Sequence, residues 1–174
     1  MRILMMLLAL LPLNQELPVQ DRPLWRQRLQ WPDSYEQRWL SSHPDAKTAG
    51  LNIYALSGPL YLIRVETFGD AEAPGQIFYV YDERSQTGIL LTLAWLSRPP
   101  GGRLQAMQAQ ELAGLTEFEP QAQILRLLAR KDCGELIRWR FHLGRPLLKE
   151  VRTQNCSAAA ATEPDPEKWP RSWP

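Results

Sequence analysis

Apolar and polar positions alternate through the middle of the chain, and glycine and proline interrupt the alternation at short intervals. Runs of branched and aromatic residues separated by such turns are typical of antiparallel β domains. The pattern predicts an all-β antiparallel meander, built as a sandwich, an open barrel or a propeller-like sheet. The expected strands are Leu51–Leu56, Leu60–Thr67, Ile77–Tyr81, Ile89–Trp95, Leu104–Gln110, Ile124–Ala129, Leu136–Leu143 and Leu147–Thr153.

Two stretches of this region allow a second interpretation of the fold. The residues from Leu104 to Leu112 are also good helix formers, so a helix is the alternative to a strand there. The sequence from Tyr79 to Leu93 is echoed from Glu117 to Leu128, with an aromatic residue, an acidic residue and then an apolar strand in each copy. Such echoes are expected of any β-meander and are also the units that propeller blades repeat.

A short helical or irregular cap is expected before the β domain. Asp21 precedes Pro23 in the manner of a helix start, and Ser34 with Gln37 has the spacing of a capping box. We assign residues 16–46 to this cap and residues 47–156 to the β domain. Residues 157–174, rich in alanine and proline, lack a burial pattern and are expected to be a disordered tail.

The first fifteen residues have the layout of an export signal. A single arginine, Arg2, is followed by an apolar stretch that is too short to span a bilayer comfortably. The alternative is a buried strand or helix of a cytosolic protein. Export predicts a periplasmic or secreted protein, and it places the thiols of the chain in an oxidising compartment.

The chain has two cysteines, Cys133 and Cys156, on either side of one expected hairpin. A lone pair in an exported protein predicts a structural disulfide, and a redox-active pair is disfavoured because the chain has no Cys-x-x-Cys motif. Cross-strand pairing of the two cysteines centres the turn between Gly144 and Arg145. Side-chain pairing instead favours a register shifted by one residue, so we expect a one-residue bulge near Gly134.

The shifted register makes specific predictions. It pairs Ile137 with Val151, Phe141 with Leu147 and Arg138 with Glu150. Ile137, Trp139 and Phe141 would then share the buried face, whereas Arg138, Arg140 and Glu150 would face water.

Charge is distributed unevenly, although the formal net charge is only +1. Residues 126–152 carry eight basic and three acidic side chains. Such a strand pair could bind an acidic glycan, lipid head groups or nucleic acid. A sheet face whose charges are simply solvated is the simpler interpretation. Nucleic acid is not expected, because exposed aromatic residues do not alternate with the basic ones. The candidate interaction surface comprises Asp70, Glu72, Asp82, Glu83, Arg138, Arg140 and Arg152.

Other candidate chemistry is sparse. The loop carboxylates, Glu66, Asp70, Glu72, Asp82 and Glu83, would form a Ca²⁺ site only if they gathered at one end of the sheet, and solvated loop charges are the simpler interpretation. His43 and His142 lack neighbours at zinc-ligand spacing. The tryptophans at 25, 31, 39, 95 and 139 could form a sugar-stacking platform or simply the core. We predict no cofactor and no catalytic residues.

The stretch from Tyr79 to Cys156 resembles an uncharacterised family of secreted bacterial proteins. The resemblance rests on Tyr81-Asp82, the Asp132-Cys133-Gly134 motif, the Trp139-Arg140-Phe141 strand and the closing Cys156. It implies export, a β-rich fold and a disulfide, and it implies no activity. The sequence therefore predicts a non-enzymatic envelope or periplasmic protein that binds a partner or is structural, with a periplasmic inhibitor of a hydrolase such as lysozyme as the alternative.

Overall fold

The structure is a computed structural model that describes residue 17 and residues 21–97, 103–129, 134–154 and 165–173. It contains two helices, α1 (Arg22–Leu29) and α2 (Asp33–Ser42), and one 3₁₀ turn, Pro166–Lys168. The strands are β1 (Leu51–Ala55), β2 (Leu60–Phe68), β3 (Gly75–Asp82), β4 (Thr87–Leu90), β5 (Leu93–Ser97), β6 (Gln105–Ala109), β7 (Glu111–Ala113), β8 (Leu115–Glu119), β9 (Ile124–Ala129), β10 (Glu135–His142), β11 (Arg145–Thr153) and β12 (Arg171–Trp173).

The strands form two five-stranded antiparallel sheets and a separate ribbon. The N-terminal sheet has the order β1-β2-β3-β4, and β7 pairs with β3 on the same side as β4. The C-terminal sheet has the order β12-β11-β10-β9-β8, and β5 pairs with β6 alone. The all-β antiparallel meander with a short helical cap is therefore confirmed, and the sheets do not close into a barrel.

Three layers result from this arrangement. The two helices cover one face of the N-terminal sheet, where Trp25, Leu29 and Trp31 pack with Ile63 and Tyr79. The C-terminal sheet covers the opposite face, and its apolar side chains pack against those of the N-terminal sheet at 62 and 78. The middle layer is thus buried on both sides, which explains why β2 and β3 lack a strict alternation of apolar and polar residues.

A buried arginine fastens the helices to the N-terminal sheet. Arg22 donates from Nε to both carboxylate oxygens of Glu36 at 3.0–3.1 Å, and its guanidinium lies 3.9 Å from the ring centroid of Trp39. Its remaining nitrogens donate to the carbonyls of Ala49 and Glu66 at 3.0 and 3.1 Å. One side chain therefore links α1 to α2, to the segment before β1 and to β2.

The sequence signals for the two helices have different outcomes. Asp21 caps α1 as expected, because its side chain accepts a hydrogen bond from the backbone N–H of Leu24 at 2.9 Å. The capping box of Ser34 and Gln37 is wrong, since α2 begins at Asp33 after Pro32 and has no side-chain cap.

The predicted strand Ile89–Trp95 is two strands in two different sheets. The chain leaves the N-terminal sheet after Leu90 and starts the ribbon at Leu93. A second crossing lies at Gly114, where β7 ends and β8 begins in the other sheet. Gly114 has φ +146°, and a Cβ there would come within 2.5 Å of the Leu128 carbonyl oxygen, so only glycine fits.

The echoed stretches are equivalent hairpins. β3–β4 and β8–β9 both have four-residue turns, and each turn ends in a glutamine in the left-handed region, Gln86 at φ 57° and Gln123 at φ 55°. They contribute to different sheets, so the echo is a repeated hairpin design within a two-sheet fold.

The tail expected to be disordered, 157–174, is ordered where the structure describes it. Residues 165–173 form the 3₁₀ turn and β12, which pairs with β11 through Val151 and Arg152. Trp169 is only 2% exposed. The prediction is therefore wrong over these residues, because a buried tryptophan and a three-residue strand are too local to produce a periodic pattern.

Candidate interaction surface

The two cysteines lie outside the described residues, and the prediction of a disulfide stays a prediction. The residues beside them are described. Gln154 donates its backbone N–H to the carbonyl of Gly134 at 3.0 Å, so the hairpin is still paired where its described part ends. Cys133 precedes Gly134 directly, and Cys156 follows Gln154 by two residues.

The register of the β10–β11 hairpin agrees with the prediction at its base and differs from it at its tip. Ile137 pairs with Val151 and Arg138 with Glu150, as expected. The bulge lies between Arg138 and Trp139, where Lys149 is the extra residue on β11. Beyond it the pairing shifts by one residue, and the prediction of a turn between residues 144 and 145 is wrong. The bulge expected near Gly134 would lie between this residue and the cysteines, outside the described residues, and stays a prediction.

The shifted tip has a two-residue turn, Leu143-Gly144, and the predicted pairing of Phe141 with Leu147 is also wrong because Phe141 pairs with Pro146. Ile137, Trp139 and Phe141 nevertheless share the buried face. The extra residue lies on β11, so the alternation of β10 is uninterrupted and the burial prediction holds for these three residues. Glu150, predicted to face water, is buried.

Arg138 is not solvated as expected but lies in an ion-pair network on the outer face of the C-terminal sheet. It donates to Glu150 and to both carboxylate oxygens of Glu167. Arg126 also contacts Glu167 at 3.2 Å and Glu117 at 3.1 Å. The 3₁₀ turn that supplies Glu167 therefore covers the base of the hairpin.

Glu150 is the buried carboxylate of this network. Burial raises its pKa, but hydrogen bonds from Arg138 and Arg152 and the charge of both arginines outweigh burial and hold the pKa below its usual range. Arg152 Nε and Arg171 Nε lie 2.9 and 2.8 Å from its Oε1. Of the predicted interaction residues, Arg138 and Arg152 are thus occupied by carboxylates of their own chain.

The basic residues near the Leu143-Gly144 turn, which we call the hairpin tip, have a different environment from Arg138 and Arg152. Arg140, Arg145 and Lys149 are exposed and make no ion pair with any described residue. The eleven residues from 139 to 149 contain these three cations and no acidic residue. The bulge separates the two zones, so one hairpin has a neutralised base and a positively charged tip.

Exposed leucines accompany the positive charges at the tip. Leu143 is 70% exposed and Leu147 is 54% exposed. Gly144 packs against the N-terminal sheet, since a Cβ at this position would lie 3.1 Å from side-chain atoms of Leu60 and Val80. Ile89, the cross-strand partner of Val80, is also largely exposed, and it extends the apolar surface onto β4.

The conformation of Leu143 is unfavourable for this residue type. Leu143 has φ 48° and Gly144 has φ 74°, as in a type I′ turn, where asparagine, aspartate and glycine are preferred. A leucine in the left-handed region costs about 1 kcal/mol, and an exposed side chain does not recover this cost by burial. Sequence reasoning missed Leu143, although a leucine before glycine in a hairpin turn was a visible signal.

The predicted acidic residues do not form one surface. Asp70 and Glu72 lie in the loop before β3, whereas Asp82 and Glu83 lie at its far end, about 25 Å away along an eight-residue strand. Asp70 accepts the N–H groups of Glu72 and Ala73, and these two bonds lower its pKa. Glu83 accepts the hydroxyl of Tyr61 at 3.3 Å.

This separation removes the shared Ca²⁺ site and a contact surface that combines the Asp70 and Asp82 loops. Within the described ranges, no group of three or more His, Cys, Asp or Glu side chains could hold a metal ion. His43 instead stacks on Trp39 at 5.3 Å, and His142 is exposed.

The tryptophans do not form an exposed platform. Trp25, Trp31, Trp39 and Trp139 are buried, and Trp139 Nε1 donates to the carbonyl of Ala94 at 2.7 Å. Trp95 is partly buried and donates to Glu135 at 3.2 Å. These side chains belong to the core.

Comparisons with known proteins identify no relatives: the chain matches no protein-family model, no curated protein and no solved structure. Neither of the helices in the described part of the chain has the length and apolar character needed to cross a membrane.

Proposed function

We propose that this chain is an exported, non-enzymatic protein of the cell envelope that binds anionic lipid surfaces through the tip of the β10–β11 hairpin. Hydrogen bonding between Gly134 and Gln154 supports the disulfide that export predicts, because it holds the strands together beside both cysteines. The hairpin tip consists of Arg140, Leu143, Arg145, Leu147 and Lys149.

The observation that carries the proposal is the composition of the hairpin tip. Its three cations have no carboxylate partner among the described residues, and exposed leucines lie among them. Cations attract acidic head groups at about 1 kcal/mol each, and apolar side chains insert at the boundary with the acyl chains. A soluble acidic glycan would use the cations and would leave the leucines without a role.

The left-handed leucine is consistent with this assignment. Leu143 occupies a turn position where it costs stability and gains no burial within the chain. Residues held in such conformations cluster at functional sites. A contact in which the leucine is buried by a partner accounts for its presence.

Vesicle co-sedimentation tests the proposal. The full protein is expected to bind vesicles of phosphatidylglycerol and phosphatidylcholine, to leave pure phosphatidylcholine vesicles in the supernatant, and to dissociate as salt is raised. Reversing two charges in Arg140→Glu with Arg145→Glu should weaken binding by about 30-fold or more, from about 1 kcal/mol per cation. Lys47→Glu, an exposed site at the opposite end of the N-terminal sheet, is the matched control and should bind normally.

Leu143→Asn separates lipid from glycan. Asparagine suits the left-handed turn, so the variant should melt at the wild-type temperature or above it while binding vesicles less well. Wild-type affinity in this variant, with an acidic polysaccharide displacing the vesicles, would assign the tip to a glycan. Equal binding to both types of vesicle, or to neither, would refute the proposal.

A further inference from the structure

His142 lies among the side chains of the hairpin tip. It follows Arg140 by two positions on β10, and Phe141 between them points into the core, so both basic side chains project from the outer face of the C-terminal sheet. The cross-strand partner of His142 is Arg145, and that of Arg140 is Leu147. All four of these side chains are exposed. His142 therefore shares one face with two cations and one leucine of the proposed lipid contact.

The charge of this histidine changes under conditions in which the neighbouring cations keep theirs. An exposed imidazole is mostly neutral at about pH 7.5 and mostly protonated at about pH 5.5. Arginine and lysine side chains stay protonated throughout this range. Protonation of His142 therefore adds a fourth positive charge to Arg140, Arg145 and Lys149.

The carboxylate on the neighbouring hairpin lies too far away to cancel this additional charge. Residues 139–149 contain no acidic residue. On the outer face, Glu119 of β8 pairs with Ile124 of β9, which in turn pairs with Arg140. Glu119 is thus two strands, or about 10 Å, from Arg140, and salt at physiological concentration screens charges over a similar distance.

The carboxylates beneath the tip have contacts of their own. Asp82 pairs with Leu60, on which the tip packs, and it accepts the backbone N–H of Arg84 at 2.9 Å. Glu83 accepts the hydroxyl of Tyr61, which packs on the helix-covered face of the N-terminal sheet. The side chain of Arg84 is exposed and adds a positive charge to this turn. The potential at the tip therefore stays positive, and protonation of His142 increases it.

The other histidine of the chain lies away from this surface. His43 stacks on Trp39, and its Nε2 lies 3.5 Å from a carboxylate oxygen of Glu66. Glu66 is six positions along β2 from Leu60, or about 20 Å, whereas the tip packs on Leu60. Only one of the two histidines can therefore contact a membrane to which the tip is bound.

We infer that His142 makes lipid binding pH-dependent, so that the hairpin tip binds anionic membranes more tightly in mildly acidic surroundings than at neutral pH. This pH dependence rests on the proposed function, because it concerns the same surface and the same ligand. A protonated imidazole lies among the acidic head groups as one more cation. Each cation near an anionic surface tightens binding about fivefold, so affinity rises by this factor as the pH falls.

Vesicle co-sedimentation of the full protein at about pH 5.5 and about pH 7.5 tests the inference. The vesicles contain phosphatidylglycerol and phosphatidylcholine, whose charges are the same at both pH values. The wild type is expected to bind about fivefold more tightly at the lower pH. His142→Gln should bind equally at both pH values, with the affinity of the wild type at the higher pH. His142→Lys should also bind equally at both, with the affinity of the wild type at the lower pH.

His43→Gln is the matched control and should keep the full pH dependence. Raised salt should reduce the difference between the two pH values, because the added attraction is electrostatic. Equal wild-type affinity at both pH values, or an undiminished pH dependence in His142→Gln, would overturn the inference and leave the proposed lipid binding standing. A wild type that binds at neither pH would refute the proposed function and the pH dependence with it.

Discussion

Individual residues in this protein are stabilised by very different means, and Arg22 is the clearest case. Its guanidinium is almost fully buried and every nitrogen has a carboxylate or carbonyl partner, with Trp39 stacked on its face. A buried charge is tolerated only when it is paired and hydrogen-bonded in this way. The arginine therefore stabilises the helix–sheet interface more than its exposed neighbours do.

We expect Arg22→Ala to lower the free energy of unfolding by about 3–5 kcal/mol, because it removes the ion-pair partner of Glu36, whose side chain is 13% exposed, and the donors to two carbonyls. Arg26→Ala removes an exposed pair with Asp33 and should cost less than about 1 kcal/mol. Urea denaturation followed by tryptophan fluorescence compares the two variants. Equal losses would contradict the assigned role of Arg22.

Single residues also mark the limit of the sequence analysis. The burial of Ile137, Trp139 and Phe141 was predictable, because they occupy alternate positions of one strand. The bulge at Lys149 was not, because it shifts the tip of the hairpin to a third register, which neither the cysteine pairing nor the side-chain pairing indicated. The exposure of Leu143 was missed because hydrophobic residues are assigned to the core by default, whereas turn geometry decides their position here.

Among the structural elements, the segment 165–173 contributes more than its length suggests. It supplies β12 to the edge of the C-terminal sheet, Glu167 to the arginine network and Trp169 to a buried site. Short segments stay ordered when they bury a large aromatic side chain. The segment therefore acts as a strap across the outer face of the sheet.

Trp169→Ala should lower the free energy of unfolding by about 3–5 kcal/mol, the usual cost of deleting a buried tryptophan side chain. Glu167→Gln should cost about 1 kcal/mol or less, since this carboxylate is partly exposed. Chemical denaturation of both variants measures the difference. Wild-type stability in Trp169→Ala would show that the segment does not contribute to the fold.

Element identity was largely predictable, and element placement was not. Seven of the eight expected strands lie where the alternation placed them, including the ambiguous Leu104–Gln110, and the remaining one is divided between sheets at residues 91–92. Asp70 precedes β3 and Asp82 is its last residue, so the two carboxylates lie at opposite ends of this strand. Their separation becomes predictable once the bounds of β3 are known. β8 was overlooked because five residues containing two glutamates give a weak apolar signal.

At the scale of the whole molecule, the two five-stranded sheets are joined through side chains and through one direct crossing of the described chain, at Gly114, while a covalent bond is expected beside the last hairpin. The layers explain why the middle sheet is insulated from solvent, whereas Arg140, Arg145, Leu147 and Lys149 of the hairpin tip are exposed. Substitutions of these exposed side chains should change the proposed lipid binding with little effect on stability.

Reduction of the expected Cys133–Cys156 disulfide should lower the melting temperature by about 10 °C, from about 3 kcal/mol for a loop of about 24 residues. The double variant Cys133→Ser with Cys156→Ser should melt at that lower temperature with or without reductant. Differential scanning calorimetry gives both values. Two free thiols in the mass spectrum of protein taken from its native compartment would refute the bond and the support it gives to export.

The contacts of Arg22 also bear on the order in which the chain folds. Its carbonyl acceptors lie 27 and 44 residues further along the sequence. A nascent chain therefore emerges with α1 lacking its anchoring points until β2 has been synthesised and paired with β1. Early in folding the residues of α1 and α2 therefore stay exposed to solvent, and the two helices join the molecule only after the sheet beneath them exists.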